Sequence, residues 1–134
     1  MRVILDSNVW LAILTTNGFC RRMWKKARHD CIVCVSPDIL DEIEGKLQSK
    51  FGFHSRHARL LTLFVERQTH AVKVVSAIRA CRDPDDDRIL AAASDGECSH
   101  LITGDTDLLA LKQFDAISIL TPRAFAERFL NSLD

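Results

Sequence analysis

Short apolar runs alternate along this chain with longer stretches in which apolar residues recur every three or four positions. The short runs suit strands buried on both faces, and the periodic stretches suit helices with one inward stripe. Strands are therefore predicted at 2–5, at 31–35 (Cys-Ile-Val-Cys-Val), at 72–75, at 100–103 and at 117–120. Helices are predicted over 8–14 and 19–28, separated by Asn17-Gly18, then from Ser36-Pro37 onward and over 55–68. Three more follow: one from Asp83 to about Asp95, one over 105–111, and one after Thr121-Pro122. Ser36 and Thr121 are N-cap residues, and the proline after each fits the first helical position, where no N–H is needed. The inward stripes are Ile39, Leu40, Ile43 and Leu47, then Leu60, Leu61, Phe64 and Val65; the last helix carries Phe125 and Phe129. This alternation predicts an α/β fold in three layers, a mostly parallel central sheet flanked by helices, built as one domain over residues 1–134.

Composition changes this picture little. Eighteen basic and eighteen acidic residues cancel, which argues against non-specific nucleic-acid binding by the whole surface but leaves room for a local patch. Arg21, Arg22, Lys25, Lys26 and Arg28 form such a patch around the second helix, with Trp24 among them; the competing reading is a solvated face and a core tryptophan. No apolar stretch is long enough to span a membrane, and Asp6 interrupts the apolar start, against a signal peptide. Five cysteines, an odd number, fit a reducing cytosol. Cys31 and Cys34 form a C-x-x-C inside a predicted strand, where residues three apart face opposite ways, so they read as core and not as zinc ligands.

Acidic residues stand where a parallel α/β sheet gathers its chemistry, at the carboxyl ends of strands. Asp6 follows the first strand and Asp105 the fourth, with Asp107 close behind; Asp87 lies in the first turn of the helix before the fourth strand. On the helix after the second strand both Glu42 and Glu44 border the apolar stripe, and periodicity does not choose between them. Converging carboxylates repel one another and so favour a cation. An oxygen-only set without Cys or His suits Mg²⁺ or Mn²⁺, ions that activate water and neutralise charge on a phosphate. Each residue also has a plainer reading. Asp6 fits a strand-end turn, acids at 83–87 fit a helix N-terminus, and Asp105 or Asp107 fits a cap of the short helix.

Five segments resemble the PIN-domain family. Leu5-Asp6-Ser7-Asn8 is similar to its L-D-T-N opening, with serine for threonine. Ser36-Pro37 with Leu40-Asp41-Glu42 resembles S-P-x-x-L-x-E. Arg82-Asp83-Pro84-Asp85-Asp86-Asp87-Arg88-Ile89-Leu90-Ala91 resembles R-D-P-D-D-D-x-x-L-A, Thr103-Gly104-Asp105-Thr106-Asp107-Leu108 resembles T-G-D-x-D-L, and Ile119-Leu120-Thr121-Pro122 with Phe125 resembles I-L-T-P-x-x-F. The resemblance covers essentially the whole chain. It implies a PIN-like fold and a Mg²⁺- or Mn²⁺-dependent endoribonuclease, commonly the toxin of a toxin–antitoxin pair. It also implies an RNA substrate, an antitoxin partner and a homodimer. It selects Asp6, Glu42, Asp87 and Asp105 as catalytic metal ligands, Asp107 as a further ligand, and Asn8 and Thr103 as supporting groups. Arg21, Arg22 and Lys25 are then candidate RNA contacts. Leu11, Ile13, Leu14 and Trp24 are read either as core or as an outward apolar face for a partner.

Rival readings fare worse. A haloacid-dehalogenase-like phosphatase needs a second aspartate where Asn8 stands, and a receiver domain needs an acidic pair and a lysine that do not accompany Asp6. The alternative from another class is a catalytically weak module that holds RNA or protein on the same fold.

Overall fold

A computed structural model describes residues 1–130. Strand β1 (Arg2–Leu5) is followed by α1 (Ser7–Thr15), α2 (Phe19–Asp30) and β2 (Ile32–Val35). Next come α3 (Pro37–Ser49), α4 (Ser55–Gln68), β3 (His70–Ala71) and α5 (Pro84–Asp95). The chain continues through β4 (His100–Ile102), α6 (Thr106–Leu111), β5 (Gln113–Phe114), β6 (Ile117–Leu120) and α7 (Pro122–Phe129). The sheet runs β3-β2-β1-β4-β6-β5, parallel throughout except for β5. It is a mostly parallel α/β sheet flanked by helices, as the alternation predicts.

Local chemistry explains the helix starts. The Ser36 hydroxyl accepts from Ile39 N–H and the Thr121 hydroxyl from Ala124 N–H, and Pro37, Pro84 and Pro122 open α3, α5 and α7. Trp10, Phe125, Ile4, Leu5, Leu101 and Ile102 are fully buried at the centre. Trp10 and Trp24 meet edge to face, 5.9 Å between centroids, so Trp24 is core and no base platform. Leu11 and Ile13 are also buried and Leu14 packs against the core, which removes the outward apolar face considered for α1.

Three expectations change. The strand expected at 72–75 is β3 at His70–Ala71, because beyond Val72 the backbone N–H groups of Val75 and Ser76 turn to the Asp95 carboxylate. Leu60 is exposed and not inward, and Phe64, although partly exposed, sets its ring edge to face against core Trp24, 5.7 Å between centroids; α4 packs mainly on α3 and buries Ala58, Thr62 and Val65. Phe129, at the end of α7, is 38% exposed and sets its ring against His100 and Phe125. The small antiparallel β5, absent from the predicted elements, pairs Gln113 and Phe114 with β6. All five cysteines are free, and Cys34 is buried in β2. No helix among the described residues is long and apolar enough to cross a membrane.

Candidate metal centre

The chain leaves β1 toward β2 on one side of the sheet and later returns to β4 on the other, so the strand order reverses between β1 and β4. Parallel sheets open a crevice at such a reversal, at the carboxyl ends of the strands. Leu5 pairs with Ile102 in register, so the next residues, Asp6 and Thr103, come side by side.

Asp6 is held from three directions. Its Oδ2 accepts from the Thr103 hydroxyl at 2.7 Å and from Asn8 Nδ2 at 3.3 Å, and its Oδ1 accepts from Ser7 N–H at 2.8 Å as the N-cap of α1. Burial raises the Asp6 pKa; the Thr103 and Ser7 hydrogen bonds pull it back, and the charges of Glu42 and Asp105 push it further up. Asn8 Oδ1 in turn accepts from Gly104 N–H at 3.1 Å, tying α1 to the loop after β4. The Ser7 hydroxyl donates to Glu42 Oε1, and Lys46 Nζ lies 3.3 Å from the same oxygen. Glu44 instead pairs with Arg59 of α4 at 3.1 Å, so α3 turns Glu42 and not Glu44 toward Asp6. Asp6 and Glu42 line one small cleft of about 100 Å³ with Ser36 and Arg88.

Asp105 caps α6, accepting from Asp107 N–H at 2.8 Å, so it is cap and site residue at once. Carboxylate oxygens of Asp86, Asp105 and Asp107 all lie within 4.8 Å of one another. Asp86 is buried, and its pKa is pushed up to about 6 by that burial and then by Asp105, Asp83, Asp6 and Asp107. Asp6, Glu42, Asp86, Asp105 and Asp107 thus face one crevice.

The structure does not bring Asp87 into this group. Its Oδ1 accepts from the N–H groups of Ala80 and Cys81 at 2.9 and 2.8 Å, on another face of α5. Successive helical residues differ by about 100° in direction, and Asp86 is the one that shares its stripe with buried Ile89, Leu90 and Ala93. In sequence residues 89–93 are all apolar, so Asp87 has apolar neighbours at i+3 and i+4 as well, and only the docking of α5 singles out Asp86. Asp83 and Asp85 keep their plainer roles, Asp83 as the α5 cap and Asp85 as a partner of Arg88.

The basic patch also stands apart. Arg21 donates to the carbonyls of Ile13 and Leu14 at the far end of α1, a nine-residue helix and therefore about 13 Å from the end that Asp6 caps. Arg22 lies 5.8 Å from the Phe19 ring centroid, and Lys25 is exposed on the same helix.

Fold and site together define an α/β protein with a carboxylate centre at the switch point of a parallel sheet. Residues 2–107 match the profile of the PIN domain family, and the chain belongs to that family. No curated protein matches it. Among solved structures, it is similar to a chain in the crystal structure of VapBC2 from Rickettsia felis bound to a DNA fragment from their promoter. The TM-score is 0.66 over 89% of this chain and 97% of that one, at 11% identity, a likeness of fold.

Proposed function

We propose that this protein is a divalent-metal-dependent endoribonuclease and the toxin of a toxin–antitoxin pair. The observation that carries the nuclease reading is the carboxylate group at the switch point of a PIN-domain fold. The donor set fits a hard divalent ion: every candidate ligand is a carboxylate oxygen, and the pKa values of Asp6 and Asp86 are raised first by burial and then by the neighbouring carboxylates, a charge that a cation would offset. Asp6, Glu42, Asp86, Asp105 and Asp107 are the residues that would hold Mg²⁺ or Mn²⁺. Bound there, such an ion would supply positive charge for the phosphate and lower the pKa of the attacking water.

The chain's own residues orient that chemistry. Thr103 and Ser7 fix the rotamer of Asp6, Asn8 locks the loop that carries Asp105, and Lys46 offsets the charge of Glu42. No serine or cysteine nucleophile is required, so hydrolysis proceeds by direct attack of water.

The toxin assignment rests on the likeness to the VapBC2 chain and on the motifs quoted above. It brings with it an antitoxin partner, a homodimer and a cytosolic setting, in keeping with five free cysteines. The test is cleavage of RNA by the purified protein. Activity should appear in Mg²⁺ or Mn²⁺, vanish in EDTA, and be absent from Asp6→Asn prepared in parallel. Wild-type protein that cuts no RNA in either metal would sink the nuclease reading. Overexpression that slows growth no more than Asp6→Asn does would sink the toxin reading alone.

A further inference from the structure

A second cleft opens beside the carboxylate centre, and nothing in the proposed chemistry uses it. It encloses about 640 Å³ between α5 and residues 74–81, a strap without helix or strand of its own. Asp38 and Arg88 line both this cleft and the smaller one that holds Asp6 and Glu42, so the two share a wall.

The strap is fastened at both ends from α5. Asp95 Oδ2 accepts from Val75 N–H at 2.7 Å and Ser76 N–H at 2.9 Å, and the Ser76 hydroxyl donates to its Oδ1. Asp87 Oδ1 holds Ala80 and Cys81 N–H at the other end. Residues eight apart on a helix share a face and stand about 12 Å apart along the axis. The five steps from Ser76 to Cys81 reach at most about 18 Å when extended. The strap therefore runs antiparallel to α5, tied at both ends. These hydrogen bonds also hold both carboxyls below the usual carboxylate range.

The walls of the cleft combine two chemistries. Val74, Ile78 and Ala91 offer apolar surface and Arg79 and Arg88 guanidinium groups, while the two carboxylates in the wall, Asp38 and Asp87, are taken up by Arg88 and by the Ala80 and Cys81 N–H groups. Arg88 reaches Asp38 at 3.8 Å and also Asp85, whereas Arg79 makes no ion pair among the described residues. Guanidinium groups both pair with phosphates and stack on bases in the recognition of single strands. The overall charge of zero makes a local cation the more important for a polyanion.

We propose that this cleft binds the nucleotides next to the scissile phosphate of single-stranded RNA, with Arg79 on a phosphate and Asp87 and Asp95 as positioning residues that hold the strap. The inference rests on the nuclease reading and adds the strand's path to it. The experiment is steady-state cleavage of a fluorescent single-stranded RNA by the full chain in Mg²⁺ over a range of KCl. Arg79→Ala should raise KM about tenfold and lower the salt slope by about one, the signature of one lost phosphate contact. Arg79→Lys should restore most of both. Arg79 is exposed, so its thermal midpoint should stay at the wild-type value. Asp95→Ala should raise KM less and speed hydrogen exchange at Val75 and Ser76. A wild-type KM and salt slope in Arg79→Ala, with Asp6→Asn inactive, would overturn the cleft and leave the nuclease standing. Absence of cleavage by the wild type would overturn both.

Discussion

Thr103 and Asp6, 97 residues apart in sequence, meet through a 2.7 Å hydrogen bond from the threonine hydroxyl to the carboxylate. The same hydroxyl oxygen accepts from Asp105 N–H at 3.0 Å. One fully buried side chain thus sets the rotamer of one acidic residue and the backbone of another.

Thr103→Val keeps the shape and removes both bonds. A buried group left unpaired costs about 1–3 kcal/mol, so urea unfolding should show a loss in that range. Cleavage should fall as well, because Asp6 is freed to rotate. Thr103→Ser keeps the hydroxyl and should retain most of the activity. If Thr103→Val cut RNA as fast as wild type, Asp6 would not need its anchor.

Asp86 and Asp87 are neighbours with separate expected phenotypes. Asp86→Asn should lower cleavage by more than about a hundredfold, the upper range for disturbing even an outer partner of a metal. It should also raise the thermal midpoint in EDTA, because one carboxylate leaves a crowded set. Asp87→Ala should lower the thermal midpoint and loosen the strap while cleavage survives in part. The reverse pattern, with Asp87→Ala inactive and Asp86→Asn active, would return the ligand role to Asp87.

Much of this architecture was legible because local rules and the global fold agree. Ser36-Pro37 and Thr121-Pro122 mark helix starts by their own chemistry, and the apolar runs at 2–5 and 117–120 have only a buried strand to form. The positions of Asp6 and Asp105 followed from strand ends alone. What did not follow depended on how helices dock. Three consecutive aspartates open α5, each acceptable as first-turn acids, and only the buried stripe of the docked helix separates Asp86 from Asp87. Likewise Arg21 looks free in sequence but serves the end of α1. The exposed Leu60 shows the same limit, since the periodicity of α4 is wider than the face it buries.

Gly96 offers a test of the fold beneath the strap. A Cβ there would lie 2.9 Å from Val72 Cγ2, 3.1 Å from the Ala92 carbonyl oxygen and 3.3 Å from Cys98 Sγ. The valine methyl can turn aside, but the helix carbonyl cannot. Gly96→Ala should cost about 1–3 kcal/mol, as overpacking does. Adding Val72→Ala should recover part of that loss in a double-mutant cycle. Strict additivity of the two changes would mean that they do not touch.

The pH dependence of stability carries the sign of the carboxylate centre. The pKa of Asp86 is raised from 3.8 to about 6, so the folded state holds this proton more tightly than the unfolded chain. Between about pH 4 and 6 the folded protein therefore binds more protons, and metal-free stability falls as pH rises through that window. A shift of this size corresponds to at most about 3 kcal/mol. Asp6, also raised, adds in the same direction. Asp87 and Asp95 are lowered, so their contribution has the opposite sign: it is present above their unfolded pKa and is lost as pH falls below it. The two effects occupy different windows. Thermal midpoints measured in EDTA from pH 4 to 8 should decline toward pH 6 in wild type and decline less in Asp86→Asn. Mn²⁺ should reverse the trend, since metal binding displaces the proton; at a hundredfold excess over Kd it adds about 2.7 kcal/mol. Superimposable curves for wild type and Asp86→Asn in EDTA would show that Asp86 carries no such proton.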